Sequence, residues 1–284
     1  IFRSGWAFAS MSIPADCVET KRGRFFGSGR GIKRPFMAEN AAPDATQLTD
    51  DGQIAGFVGT IEIPARGECT VAIVMGQAEN RKQAVGLVQK YKNLETVRKE
   101  VEATRQWWMG LMGTLKVETN QLEFDRYQNW LKYQALAERI WARRGFYQTS
   151  GAFGFRDQLQ DTVNLIWVDP SLARKQILLH AAQQFVEGDV NHWFFTLTDG
   201  RTAFSCRSHA SDNPLWLAWG AAEYVRATGD QTILDEMVSY MISEFPFAPL
   251  PQNKQGWGHL YHRDTRSDTL YKHCMKSIDL VIKD

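Results

Sequence analysis

Cysteine is scarce in this 284-residue chain: Cys17, Cys69, Cys206 and Cys274 are the only four, far apart and without a C-x-x-C pair. That spacing argues against a zinc knuckle and against a dense disulfide framework, and it fits a reducing compartment such as the cytoplasm. Excess charge is equally scarce. With 33 basic and 32 acidic residues, the net charge of +1 creates no field to attract nucleic acid or an anionic membrane. Nor is there an apolar run near the roughly 20 residues that span a bilayer, so direct membrane insertion by this segment is not expected. The start shows no n-region, h-region or cleavage site. It opens on the apolar stretch IFRSGWAFASMSI, which reads as the middle of a strand and leads us to expect a fragment of a longer protein. Gly27, Gly29 and Gly31 give G-x-G-x-G without a strand-to-helix context, and neither a P-loop nor a G-x-S-x-G run occurs. His259 and His262 lack an obvious third ligand, so no metal site is expected.

What the chain does have is aromatic bulk and a clear change of period. Ten tryptophans are present, and indole faces suit both apolar cores and pyranose rings. The length suggests about two domains. Residues 1–79 carry β signals: Phe57, Gly59, Ile61 and Ile63 alternate, as do Cys69, Val71, Ile73 and Met75, with Pro64 to Gly67 between them. This pattern predicts a hairpin from a β-sandwich. The stretch from Gly23 to Asp51 has no sustained period and reads as a long loop.

From Asn80 the period becomes helical. A helix over Lys82 to Tyr91 and a second with the stripe Val97, Val101, Thr104, Trp108 and Leu111, ended by Gly113, form a connector over 80–113. Residues 114–284 read as successive helices. Tyr127, Trp130, Leu131, Gln134, Ala137 and Trp141 share a face of the first, which Gly145 closes. Asp169-Pro170 signals an N-cap followed by proline, and Asn213-Pro214 looks like the same device. Gly229 supplies a stop and Asp230 a new cap. Two long aromatic loops, Glu187 to Ser211 and Phe245 to Ser267, complete an α-hairpin array. The expected class is mainly α with an N-terminal β part.

Three polar runs stand out. In YQTSGAFGFRDQLQD, Arg156, Asp157, Gln160 and Asp161 gather where a helix begins, with Asp157, Gln160 and Asp161 on one face. They suit several sugar hydroxyls, although spacing alone favours acids decorating a helix N-terminus. In FVEGDVNHWFF, Glu187, Asp189, His192 and Trp193 form either a ring-stacking platform or a loop covering the core. In SHASDNPLWL, Asp212 precedes a helix, where a carboxylate commonly just caps.

Taken together, FYQTSGAFGFRDQLQD, DPSLARKQILLHAAQQFVEGDVNHW, SDNPLWLAWGAAEYVRATGD and ILDE resemble, in order and spacing, the inverting glycoside phosphorylases of glycoside hydrolase family 94. The likeness spans most of residues 60–284. It is strongest to the phosphorylase-like C-terminal module of bacterial cyclic β-1,2-glucan synthases, then to β-1,2-oligoglucan phosphorylases. The resemblance implies a β-sandwich, a helical connector and an (α/α) barrel of six hairpins, of which 121–284 would be about half. It implies that Arg156 and Asp161 hold the sugar in the donor subsite, converging on one cavity, with Asp157 and Gln160 in support and His192, Trp193 and Asp212 nearby.

A phosphorylase replaces the base and water of an inverting hydrolase by phosphate, leaving one carboxylic acid and an anion site. By the resemblance, that acid and the phosphate-binding residues lie beyond Asp284, so no catalytic residue is expected here. The expected co-substrate is inorganic phosphate, with no other cofactor, and the expected partner a β-glucan oligosaccharide. Two departures are visible: relatives continue H-W-W-H-P and carry paired aspartates before L-W-L, where this chain has His192-Trp193-Phe194-Phe195 and Asp212-Asn213. They leave open a non-catalytic carbohydrate-holding module of a membrane-bound synthase, working at the cytoplasmic face. Half a barrel would also leave apolar faces wet, and about 1,000 Å² forfeits roughly 25 kcal/mol. That exceeds a typical net stability of about 5 to 15 kcal/mol, so the segment is expected to pair with the rest of its polypeptide or with itself.

Overall fold

The computed structural model describes residues 5–47, 52–142, 151–196, 202–207, 210–243 and 262–283. Two compact units divide the chain, Phe2–Gln106 and Trp107–Asp284.

The first unit holds β1 (Trp6–Met11), β2 (Cys17–Lys21), α1 (Arg22–Phe26), α2 (Phe36–Asn40), β3 (Gln53–Val58), β4 (Ile73–Ala78), α3 (Arg81–Tyr91) and the start of α4 (Leu94–Met112). Here the expected hairpin fails. β3 pairs antiparallel with β2, and β4 pairs antiparallel with β1, so the two halves of the proposed hairpin lie in different sheets. Residues 59–72 form no strand. Pro64, which has no amide donor, sits in a turn closed by Gly67 N–H donating to the Pro64 carbonyl. Each strand instead finds a partner some forty to seventy residues away. Nor is 23–51 merely a loop, since α1 and α2 fall there. Phe25 from α1 lies over Gly56, where a Cβ would stand 2.3 Å from the ring, so only glycine admits this contact. The connector helices match expectation closely, with the Asn80 side chain capping α3 through Gln83 N–H and α4 ending just before Gly113.

The second unit continues with α5 (Leu122–Tyr133), which runs into a π-helical stretch, Gln134–Trp141. The aromatic stripe read from the sequence is exposed: Tyr127, Trp130, Leu131 and Trp141 all face outward, and burial passes to Leu136 and Ile140, which pack on Leu165 and Val168. The wider turn of a π-helix breaks the 3.6 period on which the stripe was drawn. Gly145, expected to close this helix, lies outside the described residues, as does His259.

Then come β5 (Phe153–Gly154), α6 (Phe155–Leu165), α7 (Pro170–Ala181), β6 (Asn191–Thr196), β7 (Thr202–Arg207), α8 (Leu215–Thr228), a 3-10 turn (Gln231–Asp235), β8 (Met237–Ile242), β9 (His262–Thr269) and α9 (Leu270–Lys283). Both aromatic loops therefore contain strands: β5, β6 and β7 make one antiparallel sheet, and β8 pairs with β9. Asp169 caps α7 as expected, accepting from Leu172 N–H at 3.0 Å with Pro170 in the first turn. Gly229, at φ 74°, ends α8, and Asp230 caps the following turn. Asn213 does not cap α8; its buried amide turns to His192.

Phe155 and Leu159 of α6, Ala173 and Ile177 of α7, Leu217 and Tyr224 of α8 and Leu270 of α9 share one core. Each large apolar side chain there contributes about 1.5 to 3 kcal/mol. Beneath the β5–β6 strands the same packing buries His180 completely, edge-on to Phe153, Phe155 and Phe194, with Nδ1 2.7 Å from the Gln176 carbonyl. Burial lowers its pKa from 6.5 to about 4.

The unfolded chain therefore binds this proton more readily between those values. Stability is full above about pH 6.5 and falls as pH drops toward 4, by about 2 kcal/mol at pH 5. Urea unfolding at pH 7.5 and 5 checks this: His180→Gln, lacking the titrating ring, should lose less between the two pH values than the parent. Equal losses would contradict the assignment.

Candidate functional site

α6 starts directly after the two-residue strand β5, and that junction fixes the site. The buried Gln158 side chain accepts from Gly154 N–H and donates to the Arg139 carbonyl at 3.3 Å, tying the first turn of α6 to the strand and to the π stretch. Arg156 and Asp157 then emerge half-exposed from the first turn.

Arg156 Nη1 donates to Asp212 Oδ2 at 3.0 Å, and Arg156 Nε lies 3.8 Å from Asp157 Oδ1. Asp212 sits in the turn before α8 and also accepts from the Trp216 indole N–H at 3.3 Å. Burial alone would raise the Asp212 carboxyl, but the bonds from Arg156 and Trp216 outweigh it and hold the group below the usual carboxylate range. Next to it, Asn213 Nδ2 stands 2.8 Å from His192 Nδ1. His192 is held below its ordinary value, first by burial and then by Arg156, with Asp157 and Asp212 opposing. It is therefore neutral at pH 7.

β6 brings His192 into this group through an irregularity. Asn191 pairs with Arg207 but Trp193 pairs with Cys206, so two steps on β6 span one on β7, the signature of a bulge at His192. His192 and Trp193 thus both remain half-exposed, while Asn191 and Phe194 are buried. Trp193 stands edge-on to Phe195 at 5.9 Å.

The structure brings Arg156, Asp157, His192 and Asp212 together, but it separates Arg156 from Asp161. Five residues on a helix turn about 140°, and Asp161 Oδ2 instead accepts from Arg139 Nε at 2.7 Å. Burial pushes the Asp161 carboxyl up, with Arg139 only partly opposing. Arg156 and Asp161, expected to line one cavity, are thus held in two separate ion pairs, Arg156–Asp212 and Arg139–Asp161. Asp157 has electrostatic contact with both Arg156 and Asp161 and lies between them. Gln160 is exposed. In the second run, Glu187 and Asp189 are both bonded to Arg207; Asp189 is buried and anchors the strand, whereas Glu187 stays exposed.

Sequence reasoning missed Arg139, Trp216 and Arg207. Trp216 was findable, because it follows Asp212 by four residues, one helical turn. Arg139 and Arg207 carried no local signal. The resulting cluster offers a fork of N–H donors, two carboxylates, an imidazole and an indole, the kinds of groups that bind a polyhydroxylated ring. Among the described residues no group of three or more His, Cys, Asp or Glu is arranged to hold a metal. No described helix is long and apolar enough to cross a membrane.

Comparisons with known proteins match both parts of the chain. Residues 1–94 match the glycosyl hydrolase 94 supersandwich domain, and residues 107–244 match the catalytic domain of the glycosyl hydrolase 94 superfamily. The chain belongs to glycoside hydrolase family 94. It is 38% identical over 281 residues, 97% of its length, to cyclic beta-(1,2)-glucan synthase NdvB of Rhizobium meliloti, of which it covers 9%. It is 22% identical over 261 residues to an N,N'-diacetylchitobiose phosphorylase of Vibrio furnissii, covering 83% of this chain and 32% of the relative. A 3-O-beta-D-glucopyranosyl-beta-D-glucuronide phosphorylase of Paenibacillus borealis is 23% identical over 238 residues, covering 80% of this chain and 29% of that protein. The chain thus spans a tenth to a third of the length of these relatives.

Proposed function

We propose that this chain supplies the sugar-holding wall of a protein that processes β-linked glucans, either by inverting phosphorolysis to a sugar 1-phosphate or by trimming chains within a cyclic β-1,2-glucan synthase. The observation that carries the reading is the convergence of Arg156, Asp157, His192 and Asp212 from α6, β6 and the turn before α8. In this reading Arg156 and Asp212 bind hydroxyls of the glucosyl ring and Trp193 offers a stacking face. Asp161, held by Arg139, lines the next position along α6, and Gln160 is a peripheral support. Inorganic phosphate is the co-substrate, bound with the general acid by residues outside this chain. Helices α5 to α9 form the first part of an (α/α) barrel, completed by further chain, and the protein acts in the cytoplasm or at the inner face of the membrane.

A second reading, a carbohydrate-holding module without turnover, is favoured by Asn213 and Phe195, where relatives resembling this chain carry an aspartate and a histidine. One assay separates the two. The complete protein is incubated with a β-1,2-linked glucan oligosaccharide and inorganic phosphate, and sugar phosphate is measured. Release of glucose 1-phosphate is the expected result. Binding without release would favour the holding module, and absence of both would overturn the carbohydrate reading.

A further inference from the structure

Asn213 is almost fully buried, 1% exposed, yet it spends its amide on a histidine side chain. Its Nδ2 lies 2.8 Å from His192 Nδ1, and its Oδ1 has no hydrogen-bond partner. An asparagine in the turn before a helix ordinarily bonds to the free N–H groups of the first turn. Here Pro214 comes next, already in helical conformation, and the helix starts without a side-chain cap. The amide is thus diverted from the common local role toward an imidazole on another element.

We infer that Asn213 is a positioning residue that fixes His192 as a neutral ring with Nδ1 accepting and the proton on Nε2. The argument is geometric and electrostatic. Asn213 Nδ2 faces His192 Nδ1, and only the neutral ring with its proton on Nε2 offers that nitrogen as an acceptor. The charged groups facing His192 are Arg156 and Asp157 from α6 and Asp212 from the turn before α8. Burial and Arg156 disfavour a second cation at His192 and outweigh the two carboxylates, which favour one.

The tautomer matters because Nε2–H is then a donor, complementing the acceptor oxygens of Asp157 and Asp212 when a sugar hydroxyl must both give and receive a hydrogen bond. A carboxylate at position 213 would do the reverse, holding a proton on Nδ1 and favouring imidazolium.

The functional half of this inference rests on the carbohydrate reading above, whereas the tautomer itself does not. The test uses the complete protein with 15N-labelled histidine, the His192 signals being assigned by their loss in His192→Gln. At pH 7 long-range 1H–15N correlation should show Nδ1 unprotonated and Nε2 protonated. Asn213→Asp should leave the thermal midpoint within a few degrees and shift the His192 titration upward by about 1 to 3 pH units. The acid limb of binding to a β-1,2-linked glucan trisaccharide should move with it.

A protonated Nδ1 in the parent, or an unmoved titration in Asn213→Asp, would overturn the inference. If the tautomer and titration behave as stated but no sugar binds, the carbohydrate reading fails and the positioning role stands.

Discussion

Arg156→Met in the complete protein should weaken binding of a β-1,2-linked glucan oligosaccharide about 100-fold while barely changing stability. A charge-assisted hydrogen bond to a buried ligand is worth about 1.5 to 3 kcal/mol, and removing the guanidinium also strips Asp212 of its strongest partner. The cost to folding is small, because Arg156 and Asp212 are 42% and 49% exposed and such pairs contribute about 0 to 1 kcal/mol. Arg156→Lys should recover only part of the affinity, since an ammonium cannot present the planar fork. Calorimetric titration of parent and variants decides the matter. Affinity of Arg156→Met within about threefold of the parent would remove Arg156 from the proposed sugar site.

The largest effect on stability is expected at Arg207. Its side chain is 6% exposed, lies 3.8 Å over the Phe185 ring, and bonds to Asp189, itself only 7% exposed, and to Glu187. Arg207→Met leaves the Asp189 carboxylate buried beside an apolar chain, a loss of about 3 to 5 kcal/mol.

The pH dependence has a definite sign. Burial already raises Asp189 despite Arg207, and without the arginine it rises further. The folded variant then gains a proton that the unfolded chain does not bind, so its deficit shrinks as pH falls from about 8 toward 5. Urea denaturation at the two pH values measures this. The double variant Asp189→Asn with Arg207→Met should be more stable than Arg207→Met alone. A single variant as stable as the parent would show that the pair contributes little.

Much of the helical half was legible because its signals are local. Asp169-Pro170, Gly229 and Asp230 each act within one turn, through a cap, a left-handed φ or a short side-chain bond. The connector helices were legible for the same reason. What failed depended on distant partners. Alternation marked Phe57 and Ile73 as strand material but says nothing about which strand lies alongside, and the nearer pairing was wrong. In the first aromatic loop β6 and β7 pair close in sequence, as Thr196 does with Thr202, but two register shifts break the alternation that would mark them, and β5 is distant, Phe153 pairing with Phe194.

The site divides along the same line. Arg156 and Asp157 were visible as a cluster at a helix start, and His192 and Asp212 as isolated polar residues. Their meeting depends on the bulge in β6 and on the packing of α6 against α8, neither of which has a sequence period. Asp161 was linked to Arg156 through the family resemblance, whereas the guanidinium nearest to it comes from the preceding helical stretch.

That stretch gives the π-helix Gln134–Trp141 a consequence for how the chain tolerates change. A π turn takes up one more residue than an α turn, so it can be viewed as an α-helix carrying a single insertion. Deleting one residue within it would let the helix relax to ordinary winding while the residues upstream keep roughly the face they have now. Trp130 and Tyr133, now on the outer face, would stay there while Arg139 stayed opposite Asp161. A one-residue length difference among kindred sequences at this point should therefore be read as a change of winding rather than as a rotation of α5 or a loop growing or shrinking.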